Sequence, residues 1–252
     1  MRSLALALAV FLPSCMLVDT SDDPVAGSRQ VLLVTTPHWS AVDGTLWRLE
    51  RDQAGSAWRV AGPPLAIVVG RNGLAWGRGE HGSGPLGPGP EKREGDGRAP
   101  AGVFALRQAF GYGDERELAG MRLPYLRVDD RYRCVDDPAS AFYNQILDRT
   151  LIPRPDWRSA EAMRREDRLY CYGIVVEHNT EPVLRGAGSC IFLHLGTGPG
   201  RGTAGCTAMD EAAMRELLRW LDPARAPRLV QLPAHVLRED SRWHALRTAA
   251  GT

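Results

Sequence analysis

The sequence predicts a mainly β fold, sandwich-like, with a few short helices, and three observations carry that expectation. Short apolar or partly alternating runs recur from residue 30 to residue 232. Turn formers punctuate them throughout, with 27 Gly and 18 Pro in 252 residues. Only one stretch, with Met214, Leu217, Leu218 and Leu221 at i, i+3, i+4 and i+7, has the clear stripe of an amphipathic helix. This is the rhythm of a sandwich or barrel rather than of βαβ units, and no internal repeat is apparent. Hydrophobic residues make up 44% and charged residues 24% of the chain, enough to bury a core in one large domain or two small ones. A net charge of +1 gives no electrostatic case for nucleic acid or an anionic membrane.

Taken in order, the elements divide the chain into four parts. Residues 1–15 have the anatomy of an export signal: Met1-Arg2-Ser3, then nine apolar residues from Leu4 to Leu12, too few for a permanent membrane span. The signal ends at Leu12-Pro13-Ser14-Cys15, which resembles the lipobox of bacterial lipoproteins and offers Cys15 as a lipid anchor. Residues 16–29 read as a linker, with Asp19 to Ser28 a polar tether containing Pro24 and Gly27. Residues 30–232 form the folded domain. Its first strands are Val31–Thr35, Thr45–Arg51, Trp58–Val60 and Leu65–Val69, the last stopped by Gly70 and Asn72-Gly73. Gly77 to Gly97, dense in Gly and Pro, reads as a long surface loop with His81 in solvent and Lys92 as the chain's only lysine. Pro100 and Gly102 open a strand through Leu106. Asp129-Asp130 and Asp136-Asp137 lack the spacing of a calcium loop, so no metal site is expected. Ser159 to Asp167 reads as a short helix capped by Ser159, and Tyr170 to His178 as a strand whose end, Glu177 and His178, reaches water. Asp222-Pro223 stops the helix after the amphipathic stripe, and Arg228–Leu232 is the final strand. Residues 233–252 are expected to be a helical or loosely packed tail.

The chemistry gathers between Gly188 and Met209. Cys190 to His194 is a short apolar strand, and Gly196 to Gly205 is a loop with five glycines in ten positions. Cys206 then precedes the helix. A free thiol ionises near pH 8.5, but a neighbouring imidazole and the positive end of a helix both favour the reactive thiolate. Gly205 lets the backbone approach a substrate, and the N–H groups around Gly205 and Cys206 point at a developing oxyanion. The bland alternative is a buried Cys beside a satisfied core His. A zinc site lacks the close CxxC or HxxxH spacing. Cys190 falls on the same strand face as His194, about 13 Å away along the strand, and is not expected to be a second nucleophile.

His194, the glycine loop and Gly205-Cys206 resemble the catalytic signature of the L,D-transpeptidase, or YkuD-like, family. Further pieces follow in the family's order: Gly70-x-Asn72-Gly73, Gly95-Asp96-Gly97-Arg98 with Pro100-x-Gly102-Val103-Phe104, Asp136-Asp137-Pro138-x-Ser140, Tyr143-Asn144, Asn179 and Gly188-Ser189. The resemblance spans about Pro64 to Leu221. It implies covalent acyl transfer on peptidoglycan stem peptides without a cofactor. Cys206 attacks the stem carbonyl, His194 takes the thiol proton and the Leu195 carbonyl orients the ring. D-Ala leaves, and an amine or water resolves the thioester. Substrate contacts are carried onto Thr203, Ala204, Arg98, Pro100, Gly102, Tyr172 and Asn179, and carbapenems are expected to acylate Cys206. Thr203-Ala204-Gly205-Cys206 departs from the family's frequent Ser-His-Gly-Cys, and Thr207-Ala208 replaces the basic or amide residue often found after the Cys. Two rivals stay open: a thiol carboxypeptidase or amidase that cuts cell-wall peptides, and a non-catalytic peptidoglycan-binding envelope protein. The expected setting is the periplasm, as a monomer that meets the membrane only through Cys15. Cys134, Cys171 and Cys190 allow one disulfide with a free thiol left over, or none.

Overall fold

The computed structural model describes residues 23–196 and 198–252; the export signal expected at 1–15, with Cys15, and the expected linker residues 16–22 lie outside the described residues. The first half of the domain supplies β1 (Gln30–Thr36), β2 (Asp43–Glu50), β3 (Arg59–Val60), β4 (Leu65–Val68), β5 (Leu74–Trp76), β6 (Ala99–Ala105) and β7 (Ala109–Gly111). Next come β8 (Tyr125–Arg127), β9 (Tyr132–Cys134), β10 (Ile146–Asp148), β11 (Glu161–Ala162), β12 (Tyr172–Val175), β13 (Phe192–Leu195) and β14 (Thr207–Met209). The chain closes with α1 (Glu211–Trp220), β15 (Arg228–Pro233), α2 (Ala234–Glu239) and α3 (His244–Ala250). Strands dominate and the helices are few and short, as the sequence predicts.

Twelve strands form one mixed sheet in the order β5-β6-β15-β1-β2-β4-β14-β13-β12-β7-β8, with β3 on β2. β6 and β7 lie near opposite ends of that path, yet only residues 106–108 separate them in sequence. The sheet therefore rolls until its ends approach, and the Glu177 N–H donates to the Ala105 carbonyl across that closure at 3.1 Å. The run Val31-Leu32-Leu33-Val34 is apolar at every position because β1 is central, parallel to β15 and antiparallel to β2, and buried on both faces. α1 starts where Asp210 accepts from the Ala213 N–H at 2.7 Å, and buries Met214, Leu217 and Leu218 against the roll. Truncating one of these leucines to Ala is expected to cost about 2–5 kcal/mol.

Several local expectations are corrected. Residues 23–28 are fixed rather than a tether: Val25 is buried, and the Arg51 guanidinium donates to the carbonyls of Ser28, Val25 and Ala26. The tail is helical but not loosely packed, since Trp243, Leu237 and Leu246 are buried in the main core. Ser159 to Asp167 is no helix. Its only large apolar residue is Met163, too little to pay for ordering one, and Glu161 instead pairs with the backbone of Cys134. The strand predicted over Tyr170–His178 is regular only over Tyr172–Val175, and His178 turns inward. His81 is half-buried rather than solvated and covers Gly102 (φ +133°), accepting from the Val103 N–H and donating to the Gly77 carbonyl. Lys92, in the middle of the supposed surface loop, is buried.

β10, β9 and β11 form a separate three-stranded sheet, and its central strand ends at Cys134. A disulfide joins Cys134 to Cys190 just before β13, resolving the pairing that the sequence left open; Cys171 and Cys206 remain free and buried. Closing a separation of 56 residues contributes about 4 kcal/mol in the chain-entropy picture. The small sheet thereby becomes a lid tied to the strand that carries His194.

Candidate active site

The site is set by one register. β13 and β14 run parallel, with Leu193 beside Thr207 and His194 beside Ala208. Leu193, Leu195 and Met209 face the main core, so the alternate residues Phe192, His194 and Cys206 face the lid. Cys206 falls beside Phe192, whose N–H donates to Cys206 Sγ at 3.3 Å. His194 is therefore two positions along the neighbouring strand, displaced by ~6.6 Å along and ~4.8 Å across. That diagonal lets a thiol and an imidazole lean toward one point between them.

Each group has a defined resting state. His194 Nδ1 lies 2.7 Å from the Leu195 carbonyl, which only accepts, so Nδ1 carries the proton and Nε2 the lone pair. Burial pulls the imidazole pKa down to about 4, against the raising effect of the Leu195 carbonyl. The Cys206 thiol donates to the Cys190 carbonyl at 3.5 Å, and burial pushes its pKa up to about 12. Burial thus works against the thiolate expected at rest and favours a neutral thiol beside a neutral imidazole. β14 separates Cys206 from α1, so the helix N-terminus does not reach the sulfur. The turn before Cys206 is closed by Thr203, whose hydroxyl donates to the Cys206 carbonyl at 2.6 Å and accepts from the Gly205 N–H at 3.1 Å. A Cβ at Gly205 would sit 3.1 Å from the Arg98 carbonyl, so any side chain there would press on that backbone.

Cys206 and His194 open into a cavity of about 330 Å³, together with Leu195, Thr203, Ala204 and Gly205. The lid and the turn before β12 contribute residues that the sequence reading missed. Tyr170 presents an edge to the His194 ring at 5.2 Å, its hydroxyl donates to Glu161 at 2.6 Å, and the Arg165 guanidinium lies over its ring. Burial raises both the Tyr170 phenol and the Glu161 carboxyl. Glu94, Arg71 and Arg201 complete the rim. No local pattern marked Tyr170 or Glu161 as a site residue: Glu161 lies on a strand of two residues with no periodicity to read, and Tyr170 lies in the turn before β12.

The other predicted contacts lie elsewhere. Arg98 donates to the Leu74 and Trp39 carbonyls, and Pro100 and Gly102 are buried inside β6. Tyr172 is covered by Arg215 in a different cleft, so the tyrosine at the cavity is Tyr170. Asn179 holds the Leu184 and Gly188 carbonyls. The Tyr143-Asn144 and Gly188-Ser189 pieces do converge: Tyr143 and Ser189 both donate to Glu94, and Asn144 accepts from the Cys190 N–H at 2.9 Å. No group of three His, Cys, Asp or Glu able to hold a metal ion occurs among the described residues.

A family model described as the L,D-transpeptidase catalytic domain, YkuD, matches residues 43–231. No curated protein matches the chain. Among solved structures, Bd1075 of Bdellovibrio bacteriovorus matches at 12% identity with a TM-score of 0.39, covering 89% of this chain and 56% of that one.

Proposed function

The chain belongs to the L,D-transpeptidase catalytic-domain family, and from that premise we propose that Cys206 and His194 carry out covalent acyl transfer on peptidoglycan stem peptides. The observation that supports this reading is the shared lid-facing surface of β13 and β14, where the His194 lone pair and the Cys206 thiol meet one cavity.

Because burial disfavours both ions, the proton moves only as the sulfur attacks. Substrate turns the thiol from the Cys190 carbonyl toward His194 Nε2. The sulfur bonds to the stem carbonyl carbon while Nε2 takes the proton, leaving a tetrahedral oxyanion. The Gly205 N–H is occupied by Thr203, so the Cys206 N–H is the loop's oxyanion donor. The C–N bond then breaks, and D-Ala departs with the proton held on Nε2. An incoming amine gives its proton to the same nitrogen as it attacks the thioester carbon; the C–S bond breaks, the sulfur takes that proton back as a thiol, and a new amide is released. An oxidising envelope suits both the Cys134–Cys190 disulfide and the export signal at residues 1–15.

With a tetrapeptide stem as donor, the expected result is a mass increase on Cys206 equal to the stem minus its terminal D-Ala. Adding a second stem or a D-amino acid should divert the thioester from free acid to amide. Resolution by water alone moves the protein to the hydrolase reading, and no adduct on reduced Cys206 leaves the binding-module reading. Intact mass of the chain from its native envelope decides whether the mature protein begins at a lipidated Cys15.

A further inference from the structure

The Cys134–Cys190 disulfide meets the reaction centre from two sides. On one side, the Cys190 carbonyl is the acceptor for the resting Cys206 thiol. Cys190 sits in the left-handed region at φ +55°, a conformation that costs a residue with a Cβ energy and persists only where neighbours impose it. Its neighbours are the disulfide and Asn144, which accepts from its N–H and donates to the carbonyls of His178 and Asn179. On the other side, Cys134 is paired directly with Glu161 across the lid sheet. Glu161 takes the Tyr170 hydroxyl, and the Tyr170 ring lies edge-on to His194. One covalent bond thus ends at the thiol's acceptor on one side and at the histidine's aromatic support on the other.

We infer that the Cys134–Cys190 disulfide is a positioning element of the reaction centre, holding the Cys206 thiol through the Cys190 carbonyl and His194 through Glu161 and Tyr170. This rests on reading Cys206 and His194 as the reacting pair. Without the disulfide, the lid sheet keeps its own ladder hydrogen bonds but loses its covalent tie to β13. The left-handed turn at Cys190 relaxes, water reaches Cys206, and the thiol and imidazole lose their common geometry. Two consequences point in opposite directions: Cys206 becomes more reactive toward a small alkylating agent and less able to accept an acyl group. A disulfide serving stability alone would change neither rate in protein that is still folded.

The test compares the full chain with the Cys134→Ser/Cys190→Ser double variant at temperatures where circular dichroism shows both folded. Iodoacetamide labelling is read by peptide mapping at Cys206, with buried Cys171, which packs in the other core cluster, as internal reference. The expected result is at least tenfold faster labelling of Cys206 with Cys171 unchanged. Acylation by a tetrapeptide stem at saturating donor should fall about 10- to 100-fold, the order expected when reacting groups drift by about an ångström. Asn144→Gly leaves the disulfide in place, accepts the positive φ at that position and removes the second support of Cys190, and should shift both rates in the same directions. If the double variant does not fold, Asn144→Gly alone carries the test. Unchanged labelling and acylation in the folded variants, or a parallel rise at Cys206 and Cys171, overturns the inference. Failure of the unaltered chain to acylate would overturn the catalytic reading instead, while the labelling contrast would still decide whether the disulfide governs the thiol.

Discussion

Two histidines in this molecule share nearly the same burial and differ in what their ring nitrogens hold. His178 is 1% and His194 5% exposed, and burial pulls both pKa values down, to about 3 and about 4. The difference lies in what remains of each ring once its hydrogen bonds are counted. His178 accepts from the Arg78 N–H on Nδ1 and donates to the Ala187 carbonyl through Nε2, so both nitrogens are spent on holding two loops together. His194 spends only Nδ1, on the carbonyl of the next residue, and lines a cavity beside a thiol. Burial and a shifted pKa do not separate a strut from a candidate base; an uncommitted nitrogen facing a cavity does.

Substitution at each histidine sharpens that contrast. The largest effect is expected from His194→Ala, which should slow acylation of Cys206 by about 10²–10⁴ while leaving the fold intact, measured by intact mass against time. His178→Leu should do the reverse. It strands the Arg78 N–H and the Ala187 carbonyl in the interior and should cost about 2–4 kcal/mol in urea unfolding, with acylation preserved in the folded fraction.

Acid titration provides a smaller effect on both. A histidine whose folded pKa lies below its unfolded value binds its proton more readily when unfolded, so stability rises with pH across the gap. The contribution is complete above about 6.5 and is lost as pH falls toward 4 for His194 and toward 3 for His178. Each contributes a slope of up to about 1.4 kcal/mol per pH unit. His178→Gln should flatten the curve of unfolding free energy against pH by one such contribution. A curve unchanged by that substitution would mean that His178 titrates alike in the folded and unfolded states.

The smallest effect concerns the resting thiol. With its pKa pushed up to about 12, Cys206 should be alkylated slowly at neutral pH, at a rate that climbs about tenfold per pH unit through the alkaline range. A plateau near neutrality would reveal a thiolate paired with imidazolium and contradict the neutral resting pair.

The legible parts of this molecule are those where local chemistry decides. The apolar run of β1, the turn at Asn72-Gly73 and the stripe of α1 all announce themselves, because burial on two faces, a positive φ and a 3.6-residue period each leave a pattern in adjacent residues. The glycine loop and Cys206 stand out for the same reason. What depends on distant partners was not legible. His178 looks like a strand end reaching water, yet Phe104 and the loop carrying Ala187 close over it. Tyr170 and Tyr172 are indistinguishable in sequence, and only the turn before β12 sends the first to the cavity and leaves the second under Arg215. Cys190 was correctly set aside as a nucleophile but for an incomplete reason: its sulfur is bonded to Cys134 in a lid whose strands are too short to show a period.

The most direct measurement mixes a tetrapeptide stem with the full chain, His178→Gln and His194→Gln at neutral pH, and follows the acyl adduct on Cys206 by rapid-quench intact mass. The expected result is adduct formation within about threefold of the unaltered chain for His178→Gln and at least about 100-fold slower for His194→Gln. Acylation of His194→Gln at the unaltered rate, or an adduct on any residue other than Cys206, would contradict the assignment of His194 as base and Cys206 as nucleophile.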